Sequence, residues 1–421
     1  MKRIRLYAGL CVLACAILTP LVAMGNEDLN VRLEALEKEL AELRARSEQQ
    51  TEQRNEAIRQ VLTEMREDTQ VLPVLPGWLE NFKFSGDLRL RYEGQFYDWN
   101  KQNRNRARYR ARFGFSKKLW DDQFEIGVRL ASGESNDPTS ANQSFTDNYS
   151  QKYIFLDRAY AKFTPNAIQG LTLTGGKMPN PWIQNDIFFD TDINPEGFFA
   201  NYKAPSMGTV ELFGGAGAFI LRHQSSAGDS TMIGGQIGAN IVMGDNLKWT
   251  TGGYWQTYNN YDLTGVAPRG NANPLSRAGS FGVVGVNNAL KWRMWNVPVR
   301  AFFDWAHNCL EDDNEKHYSG ANNAYAAGVD VGSTQKKGDW AVKYRWAYVE
   351  ANAMPGYFMD SDFGFANRKG HVIGATYNLL DNVTMGASVY VTEPIFTPTS
   401  TAGNANEGLT TIIMVDVVWK F

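Results

Sequence analysis

From Phe82 to Phe96 the chain reads FKFSGDLRLRYEGQF, with Phe82, Phe84, Gly86, Leu88, Leu90, Tyr92, Gly94 and Phe96 at the even positions. The odd positions hold Lys83, Ser85, Asp87, Arg89, Arg91, Glu93 and Gln95. Side chains alternate across a β-strand, so this period predicts a strand whose two faces meet different solvents. The same grammar persists to the carboxy terminus. After 82–97, strands are expected within Asn105–Lys117 and Phe124–Leu130, then at 153–164, 170–178, 197–204, 209–220, 231–242, 247–258, 281–293, 297–307, 324–333, 340–350, 370–379, 383–392 and 409–421, sixteen in all. Short turns such as APSMG, MGDN, MWN, KKGD and LLDN fall at one end and loops of up to about twenty residues at the other, the asymmetry expected of an outer-membrane barrel. The fold class that follows is all-β, a transmembrane antiparallel β-barrel of about sixteen strands.

A soluble sandwich would also alternate, but its strands are commonly shorter, about five or six residues. Large aromatics gather at the segment ends. Trp120, Phe163, Trp249, Trp295 and Trp340 lie near the short turns, and Tyr97, Trp99, Tyr258, Trp305 and Tyr348 near the long loops. Those positions suit two interfacial girdles. The even face of the opening stretch is therefore expected to touch lipid and the odd face water. With sixteen strands the interior is too wide to be filled by side chains, and an aqueous channel is expected. The last strand, TTIIMVDVVWKF, sends Thr411, Ile413, Val415, Val417, Trp419 and Phe421 to one side and ends on Phe421, which resembles the assembly signal that barrel-assembly machinery reads.

The amino terminus reads differently. Lys2, Arg3 and Arg5 precede an apolar run, Leu6 to Val22, and small residues Ala23 to Gly25, so 1–25 is expected to be a signal peptide cut after Gly25. Lipoprotein processing at Cys15 is the alternative. Residues 26–68 carry Leu29, Leu33, Leu36, Leu40 and Leu43 at alternating spacings of four and three, a coiled-coil seam that resumes out of step at Ile58, Leu62 and Met65. A single amphipathic helix lying on its own barrel is the other reading. Pro73, Pro76 and Gly77 make 69–81 a linker, and 82–421 the barrel.

Composition narrows the function. Cleavage would remove Cys11 and Cys15 and leave Cys309 alone, without a disulfide framework or cysteine metal site. The four histidines lack ligand spacing. Loss of Lys2, Arg3 and Arg5 takes the formal charge from −3 to −6, so nothing points to nucleic acid. Beyond the signal no run of apolar residues is long enough for a membrane-spanning helix. No GxSxG, HExxH or phosphate-binding glycine loop appears; neither an enzyme nor a cofactor or metal is expected.

The stretches FKFSGDLRLRYEGQF, NRNRARYRARFGF, VRLASGESNDPTSANQSF, LDRAYAKFTP, LTLTGGKMPNPW and DTDINPEG resemble the family described as putative porins of Gram-negative bacteria, whose members carry an amino-terminal coiled coil. The likeness is closest from Phe82 to about Lys203 and is carried beyond that by pattern. It implies a monomeric or homotrimeric diffusion channel in the outer membrane, with lipid and lipopolysaccharide as surroundings and the coiled coil in the periplasm. It supplies no solute.

The second strand places Arg106, Arg108, Arg110 and Arg112 on one face; Lys83, Arg89 and Arg91 on the first strand, Arg129 on the third and Arg158 on the fourth extend this basic wall. Adjacent like charges need water or counter-charge, and a pore supplies both. The third outer loop, Pro179 to Gly197, holds Asp186, Asp190, Asp192 and Glu196. In position it resembles the loop that general porins fold inward, and it is expected to oppose Arg108, Arg110 and Arg112, giving a mild anion preference. A calcium loop at Asp190, Asp192 and Asn194 lacks the glycine and the bidentate Glu it would need. Glu311 to His317 is an acidic loop tip that could bridge divalent ions to lipopolysaccharide. Two other functions stay open: an envelope tether in which the barrel anchors the coiled coil, and an anion-specific channel.

Overall fold

The computed structural model describes Lys38, Glu56 and residues 82–421, apart from 100, 135–136, 224–227, 262–268, 272–280, 311–319 and 397–407. The signal peptide, the leucine seam at Leu29, Leu33, Leu36, Leu40 and Leu43, the linker and the acidic tip at 311–317 lie outside the described residues. Lys38 and Glu56 are helical and exposed. Residues 81–421 form one compact unit.

That unit is a closed antiparallel barrel. Its strands are β1 (Phe82–Tyr97), β2 (Arg104–Leu119), β3 (Phe124–Ser132), β4 (Gln143–Ser144), β5 (Ile154–Phe163), β6 (Leu171–Lys177), β7 (Glu196–Lys203), β8 (Val210–Arg222), β9 (Ser230–Met243), β10 (Leu247–Asn259), β11 (Phe281–Met294), β12 (Val297–Asn308), β13 (Asn323–Gly332), β14 (Trp340–Val349), β15 (Arg368–Leu380), β16 (Val383–Pro394) and β17 (Thr410–Lys420). Sixteen of them cross the wall, and β4 is a two-residue piece. Sequential strands pair, except that β4 pairs with β2 and β5 with β3, and β17 returns to β1 from Asp87 opposite Lys420 to Tyr97 opposite Thr410. Closure removes every free edge, as hydrocarbon requires of a sheet that crosses it.

The seam is sealed by the last residue. Phe421 and Gly86 exchange backbone hydrogen bonds of 3.1 and 2.8 Å, and a Cβ on Gly86 would come within 2.5 Å of the Phe421 ring. Only glycine leaves space for the ring to lie across the first strand.

The faces of β1 separate as the alternation requires. Phe84, Leu88, Leu90, Tyr92 and Phe96 point outward and are exposed, whereas Asp87, Arg91 and Glu93 point inward and are buried. Exposed Leu212, Ile237, Val342, Ile373 and Val415 continue the apolar exterior. A contiguous apolar band of this kind belongs in lipid. Trp120, Trp295 and Trp340 stand exposed at the short-turn end. Tyr258 departs from its expected girdle place: it lies on the inward face of β10, 2% exposed, among Tyr261, Phe281 and Phe358.

One part of the wall is irregular. β3 leaves β2 after Ala131, which faces Arg112, and β4 takes over higher up, setting Ser144 opposite Arg108 and Gln143 opposite Tyr109. In the gap the Ser132 hydroxyl accepts from Ala111 N at 2.9 Å and donates to Ala141 O at 2.8 Å. A side chain thus replaces the missing ladder bond.

Candidate functional site

The interior has an apolar side and a charged side. On the apolar side, inward residues of β7 to β17 such as Phe199, Phe219, Phe281, Ala306, Ala347 and Ile412 form one buried cluster with residues from the connections 178–195 and 350–367. The expectation that side chains cannot fill the interior is therefore corrected on this side, where folded-in loops occupy what wall side chains cannot reach.

The connection after β6 is held by its aromatics. Trp182 packs edge-on to Phe199 and Phe219 at 5.3 and 5.9 Å, and Phe189 stacks on Phe358 at 6.1 Å. Glycines on the wall make the room: a Cβ on Gly234 would lie 3.0 Å from Trp182, and one on Gly252 would lie 2.7 Å from Ile183. Asn185 shapes the loop, its Oδ1 accepting from Ile187 N and Phe188 N at 2.9 and 3.0 Å while its Nδ2 donates to Asp304 at 2.8 Å. The two connections join through Asp190 N to Phe358 O, 2.9 Å, and Asp360 N to Ile187 O, 3.2 Å. Asn271, from the β10–β11 connection, donates to Ala351 O and Met354 O at 2.7 and 2.9 Å. Arg269 stands over the Tyr357 and Phe365 rings at 4.4 and 4.6 Å and pairs with Asp137 at 3.1 Å.

The charged side is the wall of β1, β2, β3 and β5. Glu93, fully buried, pairs with both Arg106 and Arg108, the latter at 3.0 Å. Asp87 bridges Arg110 and Arg112 at 2.8 and 2.6 Å. Arg91 grips Asp416 with two bonds of 2.7 and 2.9 Å and reaches Asp362 of the 350–367 connection at 3.3 Å. Arg89 donates to Asn142 at 2.6 Å, Arg129 pairs with Asp157, and Arg158 donates to Asn194 at 2.6 Å. Lys83 is exposed near the short-turn end.

The acids of the 179–197 loop separate. Asp192 faces the ladder, 3.8 Å from Arg110 and 3.5 Å from Arg112, whereas Arg108 meets Glu93 and, at 3.3 Å, Asn142 O. Asp186 lies 3.8 Å from Arg345, and Glu196 is exposed against Lys177 at 2.7 Å. Asp190 is buried between the two loops. Burial first, and then the neighbouring Asp360, push its carboxyl up to about 10. Asp360 is raised to about 8 by burial and by Asp362 and Asp186. A carboxyl that holds its proton is a poor calcium ligand. Among the described residues no three His, Cys, Asp or Glu are grouped to hold a metal ion.

Counter-charges Asp87 and Glu93 stand on the same odd face as Arg89 and Arg91, so their role could have been read from the alternation. Asp362 and the apolar plug could not be paired with a wall from sequence. Their signal was composition: WIQNDIFF and AMPGYFMDSDFGF are too apolar to be solvated outer loops.

A family model with the description "Putative porin" matches residues 46–104, 99–275 and 288–410. No curated protein matches the chain. Among solved structures, OprB of Pseudomonas putida at high pH is similar over 81% of this chain and 94% of that chain, with 12% identity and a TM-score of 0.53. Salmonella typhi OmpF in complex with daunomycin covers 81% and 97% at 12% identity and TM-score 0.49. A triple mutant of the Rhodopseudomonas blastica porin covers 81% and 100% at 13% identity and TM-score 0.45. The OprB likeness is one of fold.

Proposed function

We propose, for a chain that belongs to the putative porin family, that solutes cross the barrel along the charged seam between its arginine wall and the two inward loops. The protein is an outer-membrane channel for passive diffusion. The finer reading is carried by one observation: loop carboxylates Asp192 and Asp362 stand across from wall guanidiniums Arg110, Arg112 and Arg91, while the opposite side of the lumen is closed by apolar packing. Apolar contact excludes water, whereas partly exposed opposed charges hold it, and a transverse field of this kind sorts solutes by charge and dipole.

The arginines near this seam carry their own carboxylates, so an anion preference from the ladder alone is smaller than its count of guanidiniums suggests. A homotrimer, a periplasmic coiled coil over 26–68, and contacts with lipopolysaccharide and the barrel-assembly machinery belong to the same proposal. Planar-bilayer recording of the purified protein tests it. Ohmic conductance is expected, and Asp192→Arg and Asp362→Arg should each lower the permeability of cations relative to anions. No conductance would end the channel reading, and unchanged selectivity in both variants would put the solute path elsewhere.

A further inference from the structure

A second basic group lies on the other side of the barrel, below the apolar plug. Register sets it out directly: Lys248 on β10 faces Lys291 on β11, Lys291 faces Arg300 on β12, Arg300 faces Asp330 on β13, and Asp330 faces Lys343 on β14. Four cations and one carboxylate thus occupy one inward row across five neighbouring strands. Directly opposed side chains have their Cβ atoms about 4.5–5.5 Å apart, where like charges repel.

The single carboxylate is already shared. Asp330 binds Arg300 at 3.0 Å and Arg345 at 2.6 Å, and both guanidiniums stand over the Phe302 ring, at 4.8 and 4.9 Å. Phe302 is buried, so these two arginines are fixed at the edge of the apolar plug. Lys248 and Lys291 are exposed, and among the described residues neither has an acidic partner within salt-bridge distance; Glu211 of β8, whose charge Lys248 feels, is held by Lys203 at 3.0 Å. Beside them a cavity of about 380 Å³ is bordered by Asn246, Lys291, Arg293, Arg300 and Asp330. Positive charge against a low-dielectric boundary concentrates anions more strongly than the same charge in open water.

We infer that the row Lys248, Lys291, Arg300 and Lys343 is an oxyanion-binding station that gives the channel its anion preference, with inorganic phosphate and small di- or tricarboxylates as the class of ligand. This rests on the channel reading above, and it moves the source of selectivity away from β2. There each guanidinium from Arg106 to Arg112 touches a carboxylate of β1, whereas here, among the described residues, Lys248 and Lys291 have none within salt-bridge distance.

The test uses the full chain in detergent and in planar bilayers, comparing wild type with the triple variant Lys248→Gln, Lys291→Gln, Lys343→Gln, which leaves the Arg300–Asp330–Arg345 packing in place. In a potassium chloride gradient the wild type should prefer chloride, and the triple variant should lose at least threefold of that preference. Inorganic phosphate added on the short-turn side should reduce the chloride current of the wild type and not of the variant. Calorimetric titration of phosphate into the detergent-solubilised protein, silent on conduction, should show binding that the variant lacks. Phosphate binding lost in the variant without conductance in either protein would keep the station and sink the channel. Unchanged selectivity together with unchanged phosphate response would overturn the station and leave the channel standing.

Discussion

Trp182→Ala measures how firmly the plug is seated. The indole is almost fully buried, its Nε1 has no hydrogen-bond partner among the described residues, and its neighbours are the wall residues Phe199 and Phe219. Its contribution is therefore packing alone. Truncating a buried Trp or Phe to Ala costs about 3–5 kcal/mol, which includes the edge-to-face pairs at about 0.5–1.5 kcal/mol each. None of this touches the ladder hydrogen bonds, so the wall stays closed and the loss falls on docking of the 178–195 connection. At 1.4 kcal/mol per factor of ten, even 3 kcal/mol raises the undocked population roughly a hundredfold. Single-channel recording should then show frequent transitions to a larger conductance that the wild type rarely visits. Trp182→Phe, which keeps a ring against both neighbours, should restore most of the quiet trace. An Ala variant that folds normally, shown by heat-modifiable migration on gels, and conducts with wild-type steadiness would refute the assignment of this loop as the plug.

Other outcomes follow from the charged interior. Glu93→Gln leaves Arg106 and Arg108 without their shared carboxylate in a buried place; breaking such a pair costs about 3–5 kcal/mol. Its unfolding midpoint in urea should fall clearly, and an unchanged midpoint would mean that Glu93 is not the counter-ion. Asp360 and Asp190 are raised above the ordinary carboxylate range, so the folded loops hold protons that the undocked loops release. Their contribution to docking is complete near pH 4 and is lost as pH rises through about 8 and then 10. Channel noise should therefore increase from pH 6 to pH 9, and Asp360→Asn should flatten that rise; equal noise at both pH values in the wild type would remove the argument.

The barrel was legible because period two is a local property. The strand expected at 281–293 is observed at Phe281–Met294, and that at 383–392 at Val383–Pro394. Failures occur where a residue's neighbour is decided by closure. Tyr258 ends a strand near a long loop, as a girdle residue should, yet its even position on β10 turns it toward the plug. The pairing of Lys291 with Lys248 and Arg300 needs two registers, neither of which is written in any one strand. Asp192 was readable as one of four loop acids, but which acid meets the ladder depends on how Asn185 and the aromatics turn the loop.

The early departure of β3 gives the lumen a hand in building the wall. On the side away from β1, Arg108 and Tyr109 take their cross-strand neighbours from β4, and shortly before that strand Ala141 N donates to Asp192 of the 178–195 connection at 3.3 Å. The upper rim beside β2 therefore rests on contacts that reach into the lumen.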